Sequence, residues 1–148
     1  MKSKGLKYII LLLVCIVGIS AFIHLSNQDP IKEGSILLTY QNKEIEVSVN
    51  DLSLTHVEGT RINGKGELKK VTGEGILLHD LLEQYQIKEY KEVKVEAIDS
   101  YYATILPNEI QETKRVYLLK DDKGLRLIVF EDENSKRSVS NVAKIIVE

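Results

Sequence analysis

A chain of 148 residues with 43% hydrophobic side chains has room for one ordinary domain and enough apolar mass to fill its core. Lys2, Lys4, Lys7 and Asp29 sit apart, and the remainder from Pro30 on holds 17 basic and 21 acidic residues, a net charge of −4. Phosphate backbones are held by a positive field, so the balance excludes nucleic acid as an expected partner.

The first expected element is Tyr8 to Leu25, an 18-residue run without a formal charge in which twelve residues are Leu, Ile, Val or Phe. A helix of that length covers roughly 27 Å, close to the thickness of bilayer hydrocarbon, so the run predicts a transmembrane helix. Lys2, Lys4 and Lys7 precede it and no Lys or Arg follows before Lys32, which by the positive-inside bias puts the chain from Pro30 on outside the cytoplasm. The expected organisation is therefore a cytoplasmic basic tip, anchor and linker over residues 1–29 and an extracytoplasmic domain over residues 30–148, held at the cell membrane by a single pass. A cleaved signal peptide and secretion is the alternative; a cut after Ala21 would follow Ile19, a poor fit to a small-x-small site. Cys15 is the lone cysteine, inside the apolar run, where it reads as a small hydrophobe. Disulfides and thiolate ligands are thus excluded from the domain.

Ser26 to Gly34 reads as a linker. Ile36 to Tyr40 and Glu44 to Val49 predict two strands around Gln41-Asn42-Lys43, and His56–Ile62 with Glu67–Thr72 predict a polar edge hairpin turning at Asn63-Gly64-Lys65-Gly66. Leu78, Leu81, Leu82 and Tyr85 then follow the i, i+3, i+4, i+7 stripe of a short helix, and Val93, Val95 and Ala97 alternate with Lys94 and Glu96 as a half-covered strand. This helix and strand form the expected centre of the core. Tyr102 to Leu106 predicts another strand, Pro107 to Ile110 a helical turn with Pro at its first position, and Val116 to Leu119 with Leu125 to Phe130 a hairpin over Asp121-Asp122-Lys123-Gly124. Glu131 to Arg137 is a charged loop and Val142 to Val147 a closing strand. The fold class is α+β, a mostly antiparallel β-sheet domain with one or two short helices, preceded by the transmembrane helix.

Gly75-Ile76-Leu77-Leu78-His79-Asp80-Leu81-Leu82 followed by Val93-Lys94-Val95-Glu96-Ala97-Ile98-Asp99-Ser100-Tyr101 resembles the central segment of the sulfite-oxidase-like molybdopterin-binding domain family. Leu106-Pro107 with Glu109, Gly124 to Val129, and Ser138 to Ile145 resemble its later segments in the same order. The resemblance implies that family's fold over most of Asp51 to Glu148. Family members that oxidise or reduce substrates hold molybdenum through a Cys thiolate shortly before the Gly-x-x-Leu-x-x-Leu-Leu segment, and His56 to Thr72 here contains no Cys. Ser100 also stands where the family has Gly, and Leu125 where it has Pro.

Three His residues are too scattered for a zinc site of usual spacing, and Gly73-Glu74-Gly75 is no dinucleotide fingerprint because Leu78 stands at the third glycine's place. His79, beside Asp80, reads as a surface or capping residue. The resemblance places Asp99 and Tyr101 on the wall that faces the family's cofactor, and Lys136, Arg137 and Ser138 on the loop that meets its phosphate. The plain reading makes the first pair an ordinary turn and sets the basic residues against Glu131 to Glu133; Arg126 is a solvated strand residue. No catalytic residue and no metal ligand emerges. The expected function is a membrane-anchored, non-catalytic module binding a small anionic ligand or a redox partner protein, with no cofactor expected and molybdopterin implied by the resemblance alone. The alternatives are an accessory subunit of a membrane redox enzyme, and a molybdopterin-dependent oxidoreductase with a non-thiolate ligand.

Overall fold

The computed structural model describes residues 8–10, 12–19 and 31–148, which fall in two compact units, Met1–Pro30 and Ile31–Glu148. In the first unit residues 8–10 and 12–19 are helical. The transmembrane expectation is corrected here: among the described residues no helix is long and apolar enough to cross a membrane. The rest of the expected span, the cleavage positions near Ala21 and most of the linker lie outside the described residues.

The second unit is built of strands. In chain order they are β1 (Ser35–Tyr40), β2 (Lys43–Ser48), β3 (Thr55–Ile62), β4 (Leu68–Leu77), helix α1 (Leu78–Gln84), β5 (Val93–Ala97), β6 (Tyr102–Ile105), helix α2 (Pro107–Gln111), β7 (Val116–Asp121), β8 (Gly124–Val129) and β9 (Val142–Val147). They make a five-stranded sheet ordered β2-β1-β9-β5-β6 and a four-stranded sheet ordered β3-β4-β7-β8. All pairings are antiparallel except β1 with β9, which run parallel with Leu38 opposite Ile145.

Turn chemistry sets the hairpins. Gln41 and Asn42 both take positive φ, 49° and 62°, the two-residue turn whose twist matches that of the strands it joins. In the β3–β4 turn the positive φ falls on Gly66 (79°) and not on Gly64, because the Asn63 carbonyl accepts from Gly66 N–H at 2.9 Å and makes Gly66 the left-handed closing residue. Asn63 Oδ1 accepts in addition from the N–H groups of Lys65 and Glu67 at 2.9 and 3.0 Å. The tip is thereby fixed by its own side chain.

Alternation along each strand puts one face of each sheet into a shared core. Ile36, Leu38, Val95, Ile105 and Ile145 come from the first sheet and Ile76, Leu118, Leu125 and Leu127 from the second. Leu78, Leu81 and Leu82 of α1 are buried in the same cluster, each at most 1% exposed. A helix of two turns is unstable alone, so this burial is what holds it. It ends where Gln86 turns left-handed (φ 59°), with Gln86 N–H bonded to the Glu83 carbonyl and Ile87 N–H to the Leu82 carbonyl, both at 2.9 Å. This is the paired-bond helix stop that glycine usually supplies.

The second sheet has a smaller apolar cluster on its outer face, Val57, Leu119, Ile128 and Phe130 with Val71 and Tyr117 against them. Phe130 lies over Gly59, where a Cβ would come within 2.5 Å of the ring, and tilts 56° to Tyr117 at 5.3 Å between centroids. This cluster pins the start of the 130–138 segment to the sheet. The site below depends on that placement.

Candidate functional site

Beyond β5 the chain reverses at Ser100 (φ 67°), and the turn closes through Ser100 N–H to the Ala97 carbonyl at 3.0 Å and Ala97 N–H to the Tyr101 carbonyl at 2.8 Å. Asp99 Oδ1 accepts from Tyr101 N–H at 3.1 Å, so this carboxylate shapes its own turn. The Tyr101 ring, about half exposed, reaches across to the 130–138 segment and its hydroxyl donates to the Lys136 carbonyl. That segment is tightly capped: Asp132 Oδ1 accepts from Asn134 N–H at 2.9 Å and Asn134 Oδ1 from Lys136 N–H at 3.1 Å, opening a single 3-10 turn over Ser135–Arg137.

Arg137 is the hub. Its Nε donates to Asp132 Oδ2 and its Nη1 to Glu109 Oε1, each at 2.7 Å. Glu109, only 8% exposed, has been carried inward by α2; its other oxygen accepts from Leu106 N–H at 3.1 Å, closing the helix start, and Arg115 approaches Oε1 at 3.5 Å. Burial pushes the Asp132 carboxyl up, but the Arg137 hydrogen bond, the Asn134 N–H and the charges of Arg137 and Arg115 outweigh it and hold the group below its ordinary value. The Arg137 guanidinium is raised in turn, chiefly by its bond to Asp132. Arg137 is thus paired on both sides and ties α2 to the 130–138 segment.

Ser138 leads to a different cation. Its hydroxyl donates to the Leu127 carbonyl at 3.2 Å and accepts from Arg61 Nη1 at 3.3 Å. Arg61, half-buried on β3, is in no ion pair among the described residues, and its Nε is buried without a hydrogen-bond partner. Directly across the ladder stands Lys69. Like charges facing each other on a sheet repel, so the fold holds two cations together with no carboxylate of their own. Lys65 lies at the exposed hairpin tip beyond them and Lys70 beside them, though Lys70 is tied to Glu58 at 2.7 Å. Residues 61–70 carry Arg61, Lys65, Lys69 and Lys70 against Glu67 alone, a local charge of +3 within a unit whose net charge is −4.

Of the residues singled out from the sequence, the structure gathers Tyr101, Lys136, Arg137 and Ser138 at one corner and leaves Asp99 within its own turn. The sequence reading missed Arg61, Glu109, Arg115 and Asp132. The signal for Arg61 was present: a hairpin closed at Asn63 sets it opposite Lys69. Arg126 is not simply solvated, since it pairs with Asp121 at 2.9 Å. Among the described residues, metal-ligating side-chain atoms converge at His79, Asp80 and Glu83 on α1, all within 4.8 Å of one another and largely in solvent.

The class these features define is a two-sheet β unit with a basic hairpin corner. No family model matches the chain. It is similar to large ribosomal subunit protein bL25 of Listeria monocytogenes serotype 4b (strain F2365) and of Listeria innocua serovar 6a (strain ATCC BAA-680 / CLIP 11262), 30% identical over 95 residues in each case. The aligned stretch is 64% of this chain and 44% of each relative, so the chain spans less than half the length of the curated relatives it matches.

These findings correct the sequence reading. Membership of the sulfite-oxidase-like family has no matching model behind it, and the relatives found belong to a different family. The shared alternation of short strands and a leucine-rich helix is a pattern that any two-layer β unit with a packed helix produces, which is why it misled. The oxidoreductase-like and membrane-anchored readings fall with it, as do the single-pass or secreted location and the membrane and redox-protein partners. So does the exclusion of nucleic acid, because the relatives are ribosomal proteins. A ribosomal protein's name gives molybdopterin no support, and no cofactor is assigned to this chain.

Proposed function

We propose that the unit Ile31–Glu148 is a docking module for the large ribosomal subunit, with the β3–β4 hairpin and the neighbouring Ser138 corner meeting RNA phosphates. The observation that carries this reading is the Arg61–Lys69 juxtaposition. Two cations face each other on a ladder with no carboxylate paired to either among the described residues, and a phosphate placed between them relieves their repulsion. The similarity to bL25 supports it from the side of sequence. The unit's negative total does not oppose it, since screening over about 8 Å at physiological salt lets a local patch of +3 act apart from distant carboxylates.

The test is co-sedimentation of the full chain with purified large ribosomal subunits between 50 and 200 mM salt. Binding is expected to weaken as salt rises, and Arg61→Ala and Lys69→Ala should each lower affinity and reduce the salt slope by about 1. Absence of co-sedimentation at the lowest salt, or an unchanged slope in the Arg61→Ala/Lys69→Ala variant, overturns the reading.

A further inference from the structure

A sizeable cleft lies elsewhere, at the end of the five-stranded sheet where the β1–β2 turn, the segment before β5 and the last strand meet. It is a cleft of about 1070 Å³ lined by Tyr40, Gln41, Glu44, Glu89, Tyr90 and Ile146 among others. That volume is at the top of the roughly 300–1,000 Å³ range of small-molecule sites, which favours a piece of polymer over a metabolite. Its walls are chemically divided. Tyr40, Tyr90, Ile146 and Val147 supply ring and aliphatic surface, while Glu44, Glu89 and Glu148 supply carboxylates against the single ammonium of Lys91. None of those three carboxylates is in an ion pair among the described residues.

The walls are also held in place. Tyr40 donates its hydroxyl to the Glu89 carbonyl at 3.2 Å and accepts from Gln41 Nε2 at 3.1 Å, joining the β1–β2 turn to the opposite wall. Lys91 and Glu92 N–H groups are both hydrogen-bonded to the Glu148 carbonyl, and Glu148 N–H to the Glu92 carbonyl at 3.0 Å, which ties the segment before β5 to the last strand. Tyr90 is packed against the core, and that burial raises its phenol pKa despite the opposing bond to Gln111.

We infer that this cleft is a docking site for a basic peptide segment, with the methylene stem of a lysine or arginine lying on the tyrosine rings and Ile146 and its charged head meeting Glu44 and Glu89. The complementarity is of charge and shape together. A long basic side chain pairs an apolar stem with a cationic tip, its ammonium or guanidinium is attracted to tyrosine faces, and the unpaired carboxylates complete its contacts. An acidic or neutral peptide leaves those carboxylates without counter-charge. The inference stands apart from the ribosomal reading, since it uses none of the hairpin residues.

The experiment is fluorescence anisotropy of labelled octalysine and labelled octaglutamate titrated with the full chain, alongside the Glu44→Gln/Glu89→Gln variant. The Glu74→Gln/Glu133→Gln variant, which removes the same charge from exposed positions outside the cleft, serves as control. Octalysine is expected to bind saturably, about tenfold more weakly to the cleft variant and within about twofold of the parent to the control. Tyrosine ring signals in an NMR titration should move at Tyr40 and Tyr90. Equal loss in the two variants, equal binding of octaglutamate, or no saturation with octalysine overturns the inference.

Discussion

Gly59 offers the sharpest test of how the candidate corner is held. A methyl group there would lie 2.5 to 2.7 Å from Phe130 ring atoms, closer than any real Cβ contact, while Phe130 itself is only 7% exposed. Gly59→Ala must therefore push the ring out of its seat, an overpacking cost of about 1–3 kcal/mol. Phe130→Ala removes a buried ring and should cost about 3–5 kcal/mol. If the two residues interact only through this contact, the clash vanishes once the ring is gone. Alanine at 59 then becomes neutral, or stabilising by up to about 1 kcal/mol, because glycine is a poor strand-interior residue. The double variant should thus be no less stable than Phe130→Ala, with a coupling energy of about 1–3 kcal/mol. The chain has no Trp and two Phe, so far-UV circular dichroism during urea unfolding is the suitable signal, with an unchanged slope confirming that stability alone has moved. Equal destabilisation by Gly59→Ala in both backgrounds would refute the argument.

Other outcomes follow from the same corner and from α1. The Asp132 carboxyl is held below its unfolded value of about 4, so the stability it confers is complete above that pH and is lost as pH falls through the depressed folded value; Asp132→Asn should flatten the stability profile below pH 4, measured by thermal unfolding across pH. Gln86→Gly should stabilise the chain by up to about 1 kcal/mol in urea unfolding, because Gln86 occupies a left-handed conformation (φ 59°) that glycine adopts without strain. Tyr101→Phe removes the only side-chain bond recorded to the Lys136 carbonyl among the described residues and should cost about 0.5–1.5 kcal/mol while speeding exchange of the Val139 amide, which bonds to the Leu127 carbonyl at 3.2 Å.

Local signals were legible in the sequence and distant ones were not. Leu78, Leu81 and Leu82 mark the helix because burial of one stripe needs that spacing, and Asn63-Gly64 and Asp122-Lys123-Gly124 mark reversals because few residues tolerate the turn. Which of the two glycines takes the positive φ is not written in the turn's composition: the Asn63 side chain caps the Lys65 and Glu67 N–H groups, and the left-handed residue is Gly66. The parallel pairing of β1 with β9 spans nearly the whole unit, and no periodicity announces such a partner. Glu109 reads as an ordinary acid of a helix start; only its inward position beneath Arg137 makes it a buried anchor. The apolar run from Tyr8 predicts a span by length and hydropathy alone, whereas among the described residues no helix is long and apolar enough to cross a membrane.

The treatment of charge bears most on function. A total of −4 over the second unit led to the exclusion of nucleic acid, and that step assumed charge to be spread evenly. The fold sorts it. Asp132 and Glu109 are spent on Arg137, Asp121 on Arg126 and Glu58 on Lys70, and these pairs contribute little field beyond their own separation. What remains is uneven: Arg61 and Lys69 face each other on the hairpin in no ion pair, and Glu44 and Glu89 are in no ion pair at the cleft, among the described residues. A partner within about 8 Å responds to those residues and not to the sum. If the hairpin takes phosphate and the cleft a basic side chain, as proposed, substitutions at one place should leave binding at the other unchanged.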